Sequence, residues 1–252
     1  MRPSAISMLS LLWVLVTATA CTTAASSDDT STDTDTDTET TPPLSVLFVG
    51  HSVTYWNGGV DSHVEGLRVE AGGITFQTTE MTLGGASLEV MWEDTDVVTR
   101  IVQGGFDVVV LQEDIPETTV ASFHEYARRF DREIRDSGAT PVLFMAWDYE
   151  RLNWISMPEI SAAHWTIADE LSIPVAPVGL AWKRSAQQRP TLNMYDNDDE
   201  HPSIEGTYLA ATTIYSVLFD ENPVGLTYRP NGVSQDEAAF LQGIAWTEIQ
   251  AN

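Results

Sequence analysis

From residue 44 onwards, short and continuously apolar runs alternate with longer amphipathic stretches. The apolar runs predict five β-strands, at residues 45–50, 74–83, 106–111, 141–147 and 173–178. The stretches with helical spacing predict helices at residues 63–71, 88–102, 120–135, 159–171, 204–219 and 235–249. Two prolines in the fifth strand indicate a position near the edge of a sheet.

Strands that are apolar throughout, each followed by a helix, are typical of a parallel sheet that is covered on both faces. Because crossover connections are right-handed, the five strands predict a three-layer α/β/α domain with a doubly wound sheet. Active sites in such sheets form at the carboxyl ends of the strands. We therefore expect chemistry in the residues that directly follow Gly50, Leu83 and Leu111.

The N-terminus has the features of an export signal. Arg2 precedes an apolar stretch at residues 8–20 that ends in small residues, which predicts a signal peptide at 1–20 and is too short for a confident membrane span. Residues 18–21 (ATAC) resemble a bacterial lipobox, in which Cys21 would carry a lipid and anchor an exported protein to the cell envelope. The alternative is an ordinary signal peptide and a soluble secreted protein, with Cys21 incidental.

Residues 22–43 alternate threonine with aspartate and contain no aliphatic side chain larger than alanine. Such a segment cannot bury enough apolar surface to offset the entropy of ordering, so residues 21–43 are predicted to be a disordered tether that follows the lipidation cysteine. Residues 44–252 then form one α/β domain of ordinary size.

The charge balance limits the partners of the chain. There are 37 acidic and 12 basic residues, and the net charge is −25 at pH 7. This excludes electrostatic binding to nucleic-acid phosphates or to an anionic membrane surface, so the lipid is the only membrane contact that we expect. Cys21 is the one cysteine, which rules out a disulfide within the chain. Nothing in the sequence predicts an oligomeric state.

Ser52 follows the first predicted strand in the segment Gly50-His51-Ser52. A serine at a strand end, where a turn leads into a helix, can present its hydroxyl above the sheet while neighbouring amides remain free to donate to an oxyanion. The alternative interpretation is a serine that merely caps the following helix.

Asp198 and His201 lie three residues apart and precede Pro202 and a predicted helix. One turn can bring the carboxylate to one imidazole nitrogen and leave the other nitrogen facing a site, as in a general base held by an acid. The alternative is an exposed acidic loop with a solvated histidine.

Taken together, the early Gly-x-Ser and the late Asp-x-x-His-Pro resemble the SGNH (GDSL-like) hydrolase superfamily over residues 46–219. The resemblance implies a flavodoxin-like fold, with Ser52 as the nucleophile and with Asp198 and His201 completing a catalytic triad. The implied mechanism needs neither a metal nor an organic cofactor, and the other four histidines lack metal-ligand spacing.

The resemblance also implies an oxyanion hole. Its donors would be the N–H groups of Ser52 and Gly85 together with the side-chain amide of Gln112, which stands where the family usually has asparagine. His51 replaces the aspartate of the family's first motif. His51, beside the nucleophile, and Trp147, after the fourth strand, are candidate substrate-binding residues. The alternative for Trp147 is packing in the core.

The function implied is an esterase that removes acyl or acetyl groups from an extracellular carbohydrate or small molecule. A second hypothesis is a non-catalytic, carbohydrate-binding surface lipoprotein on the same scaffold. A flavodoxin-like cofactor binder is disfavoured, because the loop after Gly50 lacks the Ser/Thr/Gly run that cradles a phosphate.

Overall fold

The computed structural model describes residues 42–152 and 154–252. Its strands are β1 (Leu44–Gly50), β2 (Phe76–Thr82), β3 (Val108–Gln112), β4 (Thr140–Phe144) and β5 (Val175–Ala176). They form one sheet in the order β2-β1-β3-β4-β5, and every neighbouring pair is parallel. The predicted doubly wound, five-stranded α/β fold is confirmed.

Helices connect the strands and complete the chain. They are α1 (Ser52–Tyr55), α2 (Val60–Ala71), α3 (Leu88–Asp94), α4 (Val97–Val102), α5 (Val120–Asp136), α6 (Met157–Leu171), α7 (Val178–Gln188), α8 (Ile204–Phe219) and α9 (Gln235–Ala251). A short 3₁₀ turn, Trp56–Gly58, lies between α1 and α2.

Consecutive strand residues point to opposite faces of the sheet, as the period of a β-strand requires. Val46 and Phe48 pack with α2, α7, α8 and α9, whereas Leu47 and Val49 pack with α3, α4, α5 and α6. All four side chains are buried. The sheet is therefore the middle of three layers, and its β1 strand lies inside the sheet between β2 and β3.

Two predicted elements differ in the structure. The helix expected at 88–102 is two helices, because Thr95 has an extended backbone and its hydroxyl donates to the carbonyl of Met91. The strand expected at 173–178 contracts to β5, and helix α7 follows from Val178, after Pro177 at the N-cap position. β5 pairs only with β4, so the predicted edge position is correct.

The predicted signal peptide, the lipidation site Cys21 and most of the predicted tether lie outside the described residues. They remain predictions. Across residues 42–152 and 154–252, no helix is both long enough and apolar enough to span a membrane.

Candidate active site

Ser52 is the first residue of α1, directly beyond the carboxyl end of β1. His51 occupies the N-cap position with an extended backbone, and the amide of Thr54 donates to its carbonyl at 2.9 Å. The cap position is thus taken by His51 rather than Ser52. The structure leaves the serine hydroxyl available for another partner.

That partner is His201. The distance from Ser52 Oγ to His201 Nε2 is 2.8 Å, and the distance from His201 Nδ1 to Asp198 Oδ2 is 2.6 Å. Because an ionised carboxylate only accepts, Nδ1 carries the proton and Nε2 accepts from the serine hydroxyl. Three side chains from two distant parts of the chain form one hydrogen-bonded array, rather than a helix cap and a solvated loop.

The Asp198 carboxylate is held in its charged form. Its other oxygen, Oδ1, accepts hydrogen bonds from the backbone amides of His201 at 2.9 Å and Glu200 at 3.1 Å. Partial burial opposes ionisation, but the hydrogen bonds from the His201 ring and from these amides outweigh it and lower the pKa of Asp198. A carboxylate that is charged at neutral pH orients the imidazole and stabilises its protonated form.

Backbone and side-chain contacts fix the loop that carries Asp198 and His201. Tyr195 and Pro202 form an isolated antiparallel bridge that closes this loop. The Asn57 side-chain amide donates to the Pro202 carbonyl at 2.9 Å, and Arg151 forms an ion pair with the Glu200 carboxylate. The loop is tied to the turn after α1 and to the segment after β4.

Trp147, predicted as a substrate contact, belongs to this scaffold instead. It is fully buried, and its ring stacks on Trp182 with 3.8 Å between ring centroids. Its indole N–H donates to the carbonyl of Glu200 at 3.0 Å. Because none of the ring reaches the surface, Trp147 offers no face on which a sugar could stack, and the core-packing alternative describes it better.

Gln112 ends β3 and packs against the nucleophile turn. Its Oε1 accepts from the hydroxyl of Thr54 at 2.5 Å and from the amide of His51 at 3.4 Å. The side chain is fully buried, and its Nε2 has no hydrogen-bond partner among the described residues. A Cβ atom at Gly50 would come within 2.7 Å of Gln112, so this contact requires glycine there. Its predicted role as an oxyanion donor stays a prediction.

His51 is also buried, so it offers almost no surface to a substrate. Its Nε2 lies 3.9 Å from Asp114 Oδ1 and has no hydrogen-bond partner in the described part of the chain. Burial, and then the proximity of His201, lowers the pKa of His51 to about 3. His51 is therefore neutral at physiological pH, and it adds no positive charge beside the nucleophile.

Gly85 lies in the exposed turn after β2, with a φ of 68° that favours glycine. A Cβ atom on the neighbouring Gly84 would lie 3.1 Å from the hydroxyl of Tyr55, so this turn adjoins the helix that begins with Ser52. No described residue accepts a hydrogen bond from the backbone N–H of Gly85 or Ser52. Both amides are free to donate to a substrate oxygen.

Sequence reasoning missed the role of Glu113, which directly follows Gln112 at the end of β3. Glu113 Oε2 accepts from the amide of Leu88, the first residue of α3, at 3.2 Å. Oε1 accepts from the amide of Asp114 at 3.0 Å and from the hydroxyl of Thr118 at 3.1 Å. Burial dominates these hydrogen bonds and raises the pKa of Glu113 to about 7. This carboxyl group ties the β3–α5 loop to the helix that follows the Gly85 turn.

Sequence reasoning also missed Trp56 and Asn57, which follow α1 and contact the Asp198–His201 loop. No local pattern marks them, because their partners lie about 140 residues further along the chain. Within the described residues, no group of three or more His, Cys, Asp or Glu side chains could hold a metal ion.

No family model matches the chain, and no curated protein matches it. Several solved structures do match the chain. A protein from Slackia heliotrinireducens, provisionally assigned to the SGNH hydrolases, is 20% identical with a TM-score of 0.58, over 70% of this chain and 99% of that one. The present chain has the SGNH hydrolase fold.

Two further structures agree with this fold. A DUF4886 family protein from Bacteroides uniformis is 17% identical with a TM-score of 0.66, over 82% of this chain and 95% of its own. A variant of an acetyl-xylooligosaccharide esterase from Geobacillus Stearmophilus is 16% identical with a TM-score of 0.58, over 72% of this chain and 97% of its own. At these identities the similarity is one of fold.

Proposed function

We propose that this SGNH-fold protein is a serine hydrolase that cleaves carboxylic esters through Ser52, His201 and Asp198. The observation that carries the proposal is the unbroken array of two hydrogen bonds, 2.8 Å from Ser52 to His201 and 2.6 Å from His201 to Asp198. Nucleophile, base and orienting acid in this geometry are the arrangement that acyl transfer requires.

In the first step, Ser52 Oγ attacks the ester carbonyl carbon and its proton passes to His201 Nε2. The tetrahedral intermediate collapses, the bond from the acyl carbon to the alcohol oxygen breaks, and His201 gives its proton to the leaving alcohol. In the second step, water loses a proton to His201 and attacks the acyl-enzyme. The acid is released, and Ser52 regains its proton.

The proposed oxyanion hole uses the free N–H groups of Ser52 and Gly85, which donate to the carbonyl oxygen as it becomes negative. The amide of Gln112 is the third proposed donor, since its nitrogen has no partner among the described residues and its side chain contacts the nucleophile turn. One such donor typically contributes about 10²–10³ in turnover.

The proposed substrates are acyl or acetyl esters of an extracellular carbohydrate or a small molecule. This choice is supported by the similarity in fold to the acetyl-xylooligosaccharide esterase and by the predicted export signal. We further propose that lipid on Cys21 anchors the domain to the cell envelope. Export without a lipid is the alternative.

The second candidate function is a non-catalytic surface protein that binds carbohydrate. The observation in its favour is Gln112, which replaces the family's asparagine and is fully buried. A protein without a complete oxyanion hole would bind its ligand and turn it over slowly or not at all.

Labelling with a fluorophosphonate separates the two candidates, because only an activated serine reacts with this probe. We expect one adduct per chain on Ser52, and its loss in Ser52→Ala and His201→Ala. Ser122→Ala is the matched control, since this serine is half-buried and its hydroxyl donates to Glu89. Absence of an adduct on Ser52, or labelling that His201→Ala does not slow, would refute the hydrolase proposal.

Once labelling is established, a panel of acetylated sugars and short-chain aryl esters identifies the substrate class. We expect turnover of the preferred ester to fall by about 10⁴ or more in Ser52→Ala, because the triad acts as a unit. Sugar binding that persists in every variant, with no hydrolysis by the wild-type protein, would instead support the second candidate.

A further inference from the structure

Trp56 packs face to face on the imidazole of His201. Their ring centroids are 4.0 Å apart, and the two planes differ by 21°. The indole is half-buried, and its N–H points to Asp196 Oδ2 at 3.4 Å. The imidazole therefore has an edge contact with Ser52, an edge contact with Asp198 and one face covered by Trp56.

The position of Trp56 is fixed from both sides. It lies four residues after Ser52, at the end of α1, and its backbone leads directly into Asn57. Asn57 Nδ2 donates to the carbonyl of Pro202 and to the hydroxyl of Thr207, each at 2.9 Å. The segment that carries the serine is thus bonded to the segment that carries the histidine, with the indole lying against the ring between them.

We infer that Trp56 is a positioning residue for His201: it holds the imidazole in line with Ser52 and favours the protonated ring that forms during acyl transfer. The expected effect on ester hydrolysis rests on the proposed function. The expected effect on the protonation of the imidazole does not. An aromatic face attracts a cation more than a neutral group, and tryptophan does so most strongly. The stack is therefore stronger when His201 is protonated.

Three other titratable groups surround the His201 ring. Asp198 bonds its Nδ1, His51 lies close enough to repel a second positive charge, and Asp196 is reached through the Trp56 indole. Substitutions at Trp56 leave all three in the chain. A change in the titration of His201 in such variants then reports the loss of the aromatic face.

The test compares Trp56→Leu and Trp56→Phe with the wild-type full chain. With an ester substrate, we expect kcat to fall about threefold to tenfold in Trp56→Leu with KM nearly unchanged. The midpoint of the acid limb of the kcat/KM profile should move to lower pH by about half a pH unit, since the protonated base loses stabilisation. Trp56→Phe should recover most of both effects.

A second readout does not depend on turnover. The ring-proton NMR resonance of His201, assigned by its loss in His201→Gln, should titrate at lower pH in Trp56→Leu by a similar amount. Trp165→Leu is the matched control, because Trp165 is also half-buried but packs against the helices of the opposite layer. In that variant both the resonance and the kinetics should remain as in the wild-type chain.

Two results would overturn the inference. An unchanged His201 titration in Trp56→Leu would show that the stack does not favour the protonated ring. A rise in KM with unchanged kcat and pH profile would make Trp56 a substrate contact instead. If no ester is hydrolysed but the titration moves as expected, the positioning inference stands and the proposed function fails.

Discussion

The buried carboxyl group of Glu113 leads to a prediction about stability and pH. Its pKa is about 7 in the folded chain, against an ordinary value of 4.5, because burial outweighs its three hydrogen bonds. Between pH 4.5 and about pH 7, Glu113 keeps a proton in the folded state that it has lost in the unfolded state. The protonated carboxyl therefore favours folding below about pH 4.5, and this contribution is lost as the pH rises to about 7.

The size of the effect follows from the interval between the two values. At about 1.4 kcal/mol for each pH unit, the folded state loses about 3 kcal/mol of this contribution across the interval. Glu113→Gln abolishes the titration. The substitution also lowers the free energy of unfolding by an amount that does not depend on pH. The reason is that an amide nitrogen replaces an oxygen that accepts hydrogen bonds, either from the Leu88 amide or from the Asp114 amide and the Thr118 hydroxyl.

The measurement is the free energy of unfolding in urea at pH 5 and at pH 8, for the wild-type chain and Glu113→Gln. We expect the wild-type advantage over the variant to shrink by about 2–3 kcal/mol at the higher pH. His51 and His164, whose pKa values burial lowers to about 3 and about 4, destabilise both proteins as the pH falls below 6.5, so their effects cancel in the difference.

Glu65→Gln is the control, because Glu65 is exposed on α2. Its difference from the wild-type chain should be the same at both pH values. If the Glu113→Gln difference is equally independent of pH, then Glu113 titrates normally in the folded protein. Burial would then not raise the pKa of Glu113.

Three further substitutions test the proposed site. Asp198→Asn should lower kcat by about 10⁴ with little change in Tm, because the imidazole loses its orienting charge, and Asp199→Asn beside it should keep full activity. Gly85→Ala should lower kcat by about 10² or more, whereas Gly105→Ala, at a similarly open position with positive φ, should cost comparable stability and no activity. Trp147→Phe should destabilise the protein by about 1–3 kcal/mol in urea unfolding and reduce kcat, because it leaves the Glu200 carbonyl without its donor. Unchanged stability would show that the hydrogen bond from Trp147 does not hold the Asp198–His201 loop.

The sequence allowed the fold to be predicted because the pattern is strong where strands are buried on both faces. Val46 to Val49 are all apolar, and the structure buries every one of them. The pattern failed at residues 173–188, where a two-residue edge strand leads directly into α7. Apolar residues that start a buried helix and those that form a short strand look alike over so few positions.

The site could be predicted as far as the residue types determine the chemistry. The resemblance to the SGNH hydrolase superfamily predicts that Ser52, Asp198 and His201 act together, and the structure brings them within hydrogen-bond distance. The contacts of Trp56 and Trp147 could not be predicted, because a tryptophan carries no signal that tells a packed ring from an exposed one. Only the folded chain shows that one ring covers His201 and that the other lies beneath its loop.

The stack of Trp147 on Trp182 affects how the protein should fail when heated. Trp182 belongs to α7 in the main core, and Trp147 links that core to the backbone of the Asp198–His201 loop. Many enzymes lose activity early, when a surface loop melts before the rest of the molecule. Here the Asp198–His201 loop is bonded to Trp147, which packs in the core against α7. Loss of activity and global unfolding should therefore occur over the same temperature range.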